Sequence, residues 1–220
     1  MAEIIPAILE ENWEKFSSRL NELLKIPYVK TLQVDFSDGK FTPHTTIAIG
    51  ELDLLNPAYK WEAHIMASDP RSYFFDAKLV GFTHLIFHFE AAGSQKEASA
   101  MADEIEELKM VPVIAINPET NPEEISGLLE RFSQVLVLGV HPGYQGAEFV
   151  PETVEKVAKL RAMSKDVIIE VDGGVKTANI GAIAAAGADK FVIGSALYEG
   201  SPDITPAQNF EKFALEIKNK

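Results

Sequence analysis

The groups in this chain best suited to moving a proton are carboxylates at the ends of strand-like runs. Residues 31–36 (TLQVDF) read as a strand that Ser37, Asp38 and Gly39 break. Side chains two apart on a strand share a face, so Gln33 and Asp35 project together, an amide beside a carboxylate. Later strand ends offer His64, then His88 with Glu90, then His141, and finally Glu170 with Asp172. Each has an ordinary structural reading, since an acid there can cap a turn and a single histidine is usually just hydrogen-bonded. Two carboxylates and a histidine from three strands at one rim read instead as an acid–base site. Glycines form a second set: Gly173 and Gly174 follow Asp172, Gly194 precedes Ser195, and Gly143 and Gly146 lie in an earlier loop. Glycine lets backbone N–H groups approach an anion closely, so the pairs 173–174 and 194–195 read as a phosphate cradle.

The elements that must position these groups alternate, strand then helix, to the end of the chain. Strands are expected over residues 4–9, 31–36, 61–66, 83–89, 111–116, 135–140, 167–171 and 191–193. Helices are expected over 13–25, 71–80, 95–109, 121 to about 132, 152–163, 176–186 and 207–218. Near-continuous apolar strands imply parallel pairing buried on both faces. Eight such units in 220 residues predict an α/β fold, a (β/α)8 TIM barrel occupying 1–220 as one domain. A doubly wound sheet would carry its glycine fingerprint after the first strand, and residues 10–13 (EENW) hold none. In a barrel the working groups stand at the C-terminal strand ends, and the loops after strands seven and eight commonly hold phosphate.

Composition narrows the partners. Hydrophobic residues make up 46% and charged residues 24%, as in a soluble globular protein. With 33 acidic and 20 basic residues the formal charge is −13, which disfavours nucleic acid. A phosphorylated ligand must therefore be held by local backbone dipoles. No apolar run is long enough to cross a bilayer, and Met1 to Pro6 has no secretory pattern, so no membrane partner is expected. Cysteine is absent, which excludes thiol chemistry and fits a cytoplasmic location.

The order of the motifs resembles the ribulose-phosphate 3-epimerase family over nearly the whole chain. The matching pieces are residues 6–9 (PAIL), 34–43 (VDFSDGKFTP), 64–66 (HIM), 88–91 (HFEA), 117–120 (NPET), 141–146 (HPGYQG), 170–174 (EVDGG) and 194–195 (GS). The resemblance implies epimerisation of a sugar phosphate at the carbon beside a ketone. Carried onto this sequence, it makes Asp35 and Asp172 the proton-removing and proton-returning pair. It implies a divalent ion (Zn, Fe, Mn or Mg) held by both aspartates, by His64 and by the residue at position 33, and stabilising the enediolate. It gives phosphate contacts to Gly173, Gly174, Gly194 and Ser195, and makes the loop from Gly143 to Gly146 a cover over the sugar. His64 then faces the substrate as well as the metal. The resemblance also allows a homo-oligomer, although the sequence shows no interface of its own.

Four positions depart from the family pattern. Gln33 stands at a metal-binding histidine position, Ala7 at a substrate-contacting serine position, and Ser37 and Leu138 at methionine positions, while Met66 keeps a third methionine. An amide oxygen is a neutral, hard donor, so weaker metal binding or a harder ion such as Mn²⁺ or Mg²⁺ is expected. Without metal, Asp35 and Asp172 would repel until one took up a proton. The loop histidines His44 and His141 are then the other source of a cation. The alternative function is a non-catalytic or altered-specificity sugar-phosphate-binding homologue that keeps the fold and cradle and has lost the usual metal site. A decarboxylase or isomerase of the same fold would call for a lysine at an active-site strand end, where none is expected; Lys190 precedes strand eight.

Overall fold

The computed structural model describes residues 2–142, 147–201 and 203–218. Eight parallel strands close into a barrel: β1 (Glu3–Ile8), β2 (Thr31–Ser37), β3 (Lys60–Met66), β4 (His84–His88), β5 (Val111–Ile116), β6 (Gln134–Leu138), β7 (Ile168–Asp172) and β8 (Lys190–Ile193). Each strand pairs with the next, and β1 with β8 completes the ring. Around it run α1 (Trp13–Leu23), α2 (Phe74–Val80), α3 (Phe89–Ala92), α4 (Gln95–Glu107), α5 (Thr153–Met163), α6 (Ile180–Ala185) and α7 (Pro206–Lys218). This is the (β/α)8 barrel the strand–helix alternation predicts.

Alternation along each strand builds two cores. Outward residues such as Val34, Phe36, Ile65, Phe87, Val137 and Phe191 join the large cluster under the helices. Inward apolar residues form two small clusters, one around Ile86, Ala115 and Leu136, the other Ile5, Ala7 and Val192. Polar side chains fill the rest of the interior.

Several expected elements take a different form. Residues 122–128 wind as a 3-10 helix rather than an α-helix, with the Asn121 N–H donating to Glu124 Oε1 at 2.9 Å. Gly127 packs against Gln95, where a Cβ would meet its Oε1 at 2.5 Å, so this segment is fitted to α4 rather than to helix propensity. The helix expected over 71–80 starts with a 3-10 turn, Pro70–Tyr73, ahead of α2, and the helix expected from residue 176 starts only at Ile180. There the Asn179 side chain accepts from the Lys176 N–H at 2.7 Å and donates to the Gly174 carbonyl at 2.9 Å, which holds the glycine loop open. Strand six ends at Leu138, and the Gly139 N–H makes the last bond of its ladder on β7, to the Asp172 carbonyl at 2.6 Å.

Glu170 requires a correction. It is expected at the rim, yet it lies one inward position below Asp172, fully buried and opposite Lys190 in register. Lys190 is the first residue of β8 and points into the barrel. Its Nζ donates to Glu62 Oε1 at 2.8 Å and to Gln134 Oε1 at 2.7 Å, and stands 3.7 Å from Glu170 Oε2. Gln134 Nε2 in turn donates to Glu170 Oε2 at 2.6 Å. Burial and the neighbouring Glu62 push the Glu170 carboxyl well above the usual range.

Candidate active site

The site is assembled by register. Asp35 on β2 lies opposite His64 on β3, and Asp172 on β7 lies beside Leu138 and Val192. Gln33 pairs across to Ala7 on β1, whose small side chain leaves the amide room inside the barrel. Gln33 and His64 are almost wholly buried, while the side chains of Asp35 and Asp172 keep 10% and 13% exposure toward the cavity above.

The four side chains form a closed knot. Gln33 Nε2 donates to Asp35 Oδ1 at 2.7 Å and to Asp172 Oδ2 at 2.8 Å. His64 Nδ1 lies 3.0 Å from Asp35 Oδ1 and 3.3 Å from Asp172 Oδ2. Burial and the charge of Asp172 raise the Asp35 carboxyl above its ordinary value. Burial works against a charge on His64, but hydrogen bonds to Asp172 and Asp35 outweigh it and push the imidazole up to about 10. The two carboxylates thus favour a protonated imidazole between them, with Nδ1 facing both.

The same atoms fit a divalent ion. Asp35, His64 and Asp172 present donor atoms that all lie within 4.8 Å of one another, with nitrogen and oxygen chemistry suited to Zn, Mn or Fe. The buried Gln33 Oε1 has no hydrogen-bond partner, although its own Nε2 makes two. Turning the amide by about 180° would exchange the two atoms and aim that oxygen at the gap between the aspartates. Gln33 can therefore serve either state, clamping the acids through N–H or adding a neutral fourth donor.

One cavity connects this knot to the glycine loops. Asp35, His64 and Asp172 line it together with Gly173, Gly174, Gly194 and Ser195. Gly173 has φ +93°, and a Cβ there would meet Val140 at 2.5 Å, so the turn beneath the cradle needs glycine. Ala7, Met66 and Leu138 supply apolar wall. Ser37 does not line this cavity; its Oγ donates to the His44 carbonyl at 2.6 Å and meets Thr42 Oγ1, pinning the loop after β2. Gly143 and Gly146 lie outside the described residues. Lys176 lines the cavity beside the cradle, 3.0 Å from Glu199, and its position two after the paired glycines is the signal that marks it. His44 and His141 stay apart from the knot, both exposed, near Glu11 and Glu119 respectively. His88, the last residue of β4, lies beside the knot, with Nε2 2.9 Å from His64 Nε2.

A family profile described as "Ribulose-phosphate 3 epimerase family" matches residues 3–198. The ribulose-phosphate 3-epimerase of Schizosaccharomyces pombe is 30% identical over 225 residues, covering 99% of this chain and 97% of that protein. The enzyme of the same name from Synechocystis is 31% identical over 225 residues, covering 98% and 93%. Among solved structures, KGPDC from Streptococcus mutans superposes with TM-score 0.72 at 15% identity over 100% of this chain and 98% of that one. 3-Keto-L-gulonate-6-phosphate decarboxylase from Vibrio cholerae gives TM-score 0.70 at 15% identity, covering 97% and 98%. At that identity the likeness is one of fold alone. The matches to profile and relatives span nearly the whole barrel, and the chain belongs to the ribulose-phosphate 3-epimerase family.

Proposed function

We propose that this protein is a phosphosugar 3-epimerase in which Asp35 and Asp172 exchange a proton with the carbon beside a ketone. The observation that carries the reading is a pair of carboxylates from β2 and β7, held by shared donors in the floor of a cavity whose far side is a glycine cradle. The phosphate of the ligand lies against the backbone of Gly173, Gly174, Gly194 and Ser195, which supply N–H groups where the overall charge of −13 offers no attraction. One aspartate removes the proton, and the C–H electron pair moves toward the ketone oxygen. The other aspartate delivers a proton to the opposite side, which inverts that carbon. One base alone would tend to return the proton to its original face. Gln33 and His64 hold the two carboxylates in register and offset their mutual repulsion. A divalent ion held by Asp35, His64, Asp172 and the Gln33 oxygen would supply Lewis-acid stabilisation of the charge growing on the ketone oxygen, worth several kcal/mol.

A second reading is favoured by the observed Gln33 rotamer, whose N–H groups satisfy both aspartates without an ion. In that reading the protein binds a sugar phosphate without turning it over. Proton NMR in D₂O with ribulose 5-phosphate separates the two. Loss of the C3 proton signal on adding Mn²⁺ or Zn²⁺, abolished by chelator and reduced about 10²–10⁴-fold in Asp172→Ala, is the expected result. Binding without exchange under any metal condition would leave only the second reading.

A further inference from the structure

Two of the motifs, residues 88–91 (HFEA) and 117–120 (NPET), contribute no group to the cavity lining, yet they meet beside His64, at the C-terminal ends of β4 and β5. The Asn117 N–H donates to Glu90 Oε1 at 2.8 Å, and the Thr120 hydroxyl donates to the same oxygen. Glu90 is thus an acceptor on that side, and its Oε2 lies 3.4 Å from Nδ1 of the fully buried His88. Asn117 Oδ1, like Glu90 Oε2 and His88 Nδ1, is buried without a hydrogen-bond partner. With the Glu90 carboxylate facing Nδ1, that atom carries the His88 proton, and its Nε2 presents a lone pair. That lone pair stands 2.9 Å from His64 Nε2, which must then be N–H.

The consequence falls on the other side of the His64 ring. With Nε2 committed to donation, Nδ1 is the atom left to face Asp35 and Asp172, where the ion or the shared proton belongs. The loop that supplies the donors to Glu90 is itself pinned. Buried Lys156 on α5 donates to the carbonyls of Asn117, Pro118 and Thr120 at 2.7, 2.8 and 2.6 Å. Phe41, from the loop after β2, packs on the His88 ring with centroids 4.8 Å apart.

We infer that Glu90 and His88 are positioning residues that set the tautomer and aim of His64, and that Lys156 holds the loop that holds Glu90. Metal-binding histidines owe much of their affinity to the group on their other nitrogen, and loss of such a partner typically costs about 10–100-fold. Where the inference concerns metal affinity it rests on the metal-assisted reading above; where it concerns the tautomer it does not.

Two measurements on the full chain test it. Side-chain ¹⁵N NMR reads which ring nitrogen carries the proton, and native His88 is expected wholly as the Nδ1–H form. In Glu90→Gln, whose amide can donate as well as accept, a mixture of forms is expected. Mn²⁺ affinity, measured by competition with a chromophoric chelator, is expected to fall about 10–100-fold in the same variant. Inorganic phosphate binding should stay unchanged, and Lys156→Met should shift both readouts in the same direction by less. An unchanged His88 tautomer, or unchanged Mn²⁺ affinity in a chain that binds Mn²⁺, overturns the inference. So does a parallel loss of phosphate binding, which would mark a merely structural role. If the native chain binds no Mn²⁺, the metal-assisted reading fails and the tautomer alone decides the relay.

Discussion

The barrel holds two interior clusters built from the same kinds of group, and their fates differ. At the rim, Asp35 and Asp172 share Gln33 and His64. Deeper down, Glu62 and Glu170 share Gln134 and Lys190. Each is two carboxylates, one glutamine and one nitrogen base. The deep cluster carries its cation permanently, because Lys190 is an ammonium whose charge the two glutamates reinforce against the penalty of burial. It is closed, with both glutamates at 0% exposure. The rim cluster has an imidazole instead, so its cation can be a proton or an exchangeable ion, and its carboxylates open onto a cavity. A fixed cation makes a structural plug, and an exchangeable one makes a site.

That contrast can be broken most forcefully at Lys190. Lys190→Met strips the deep cluster of its cation and should destabilise the protein by about 3–5 kcal/mol in urea unfolding, since it leaves buried carboxylates uncompensated. Adding Glu62→Gln should recover part of that loss; no recovery would mean that packing rather than charge was removed. At the rim, Gln33→His should tighten Mn²⁺ or Zn²⁺ binding by about tenfold or more, because imidazole is a stronger donor than an amide oxygen. Competition with a chelator would read it, and equal affinity would show that the glutamine already completes the shell. The smallest change is expected for Glu170→Gln, about 1 kcal/mol of stabilisation at pH 8. The native Glu170 carboxyl is raised above its ordinary 4.5 by burial and Glu62. Its contribution is therefore fully present below about pH 4.5 and is lost as pH rises through the folded value. The variant's advantage in thermal melts should grow toward alkaline pH and vanish in acid.

The same comparison shows what can be read without coordinates. Alternation with a period of two makes Gln33 and Asp35 legible as a pair, and the eight apolar runs make the barrel legible around them. Alternation tells which face a side chain takes but not how deep it lies, which is why Glu170 reads as a rim residue. Its depth follows from where β7 begins against β8, a register that only the closed ring sets. Lys190 is hidden for the same reason, since a lysine at a strand start looks like a solvated end. The donor geometry of Gln33 is equally invisible, because an amide can present either atom. Turns resist for another cause. The 3-10 winding of residues 122–128 answers to Gln95 on a neighbouring helix, a contact 32 positions upstream of Gly127.

Closure of the ring by β8 also sets an order of events during synthesis. β1 is the first of the eight strands to leave the ribosome, but its second neighbour, residues 190–193, is the last of them. Until that last strand docks, Glu62 and Glu170 have no ammonium within the nascent barrel, and charged they resist leaving water. A partly made chain can pack its helices on its strands, but its interior stays wet. Drying of the barrel interior and the pairing of Glu62 with its ammonium then become one event, brought about by a single lysine.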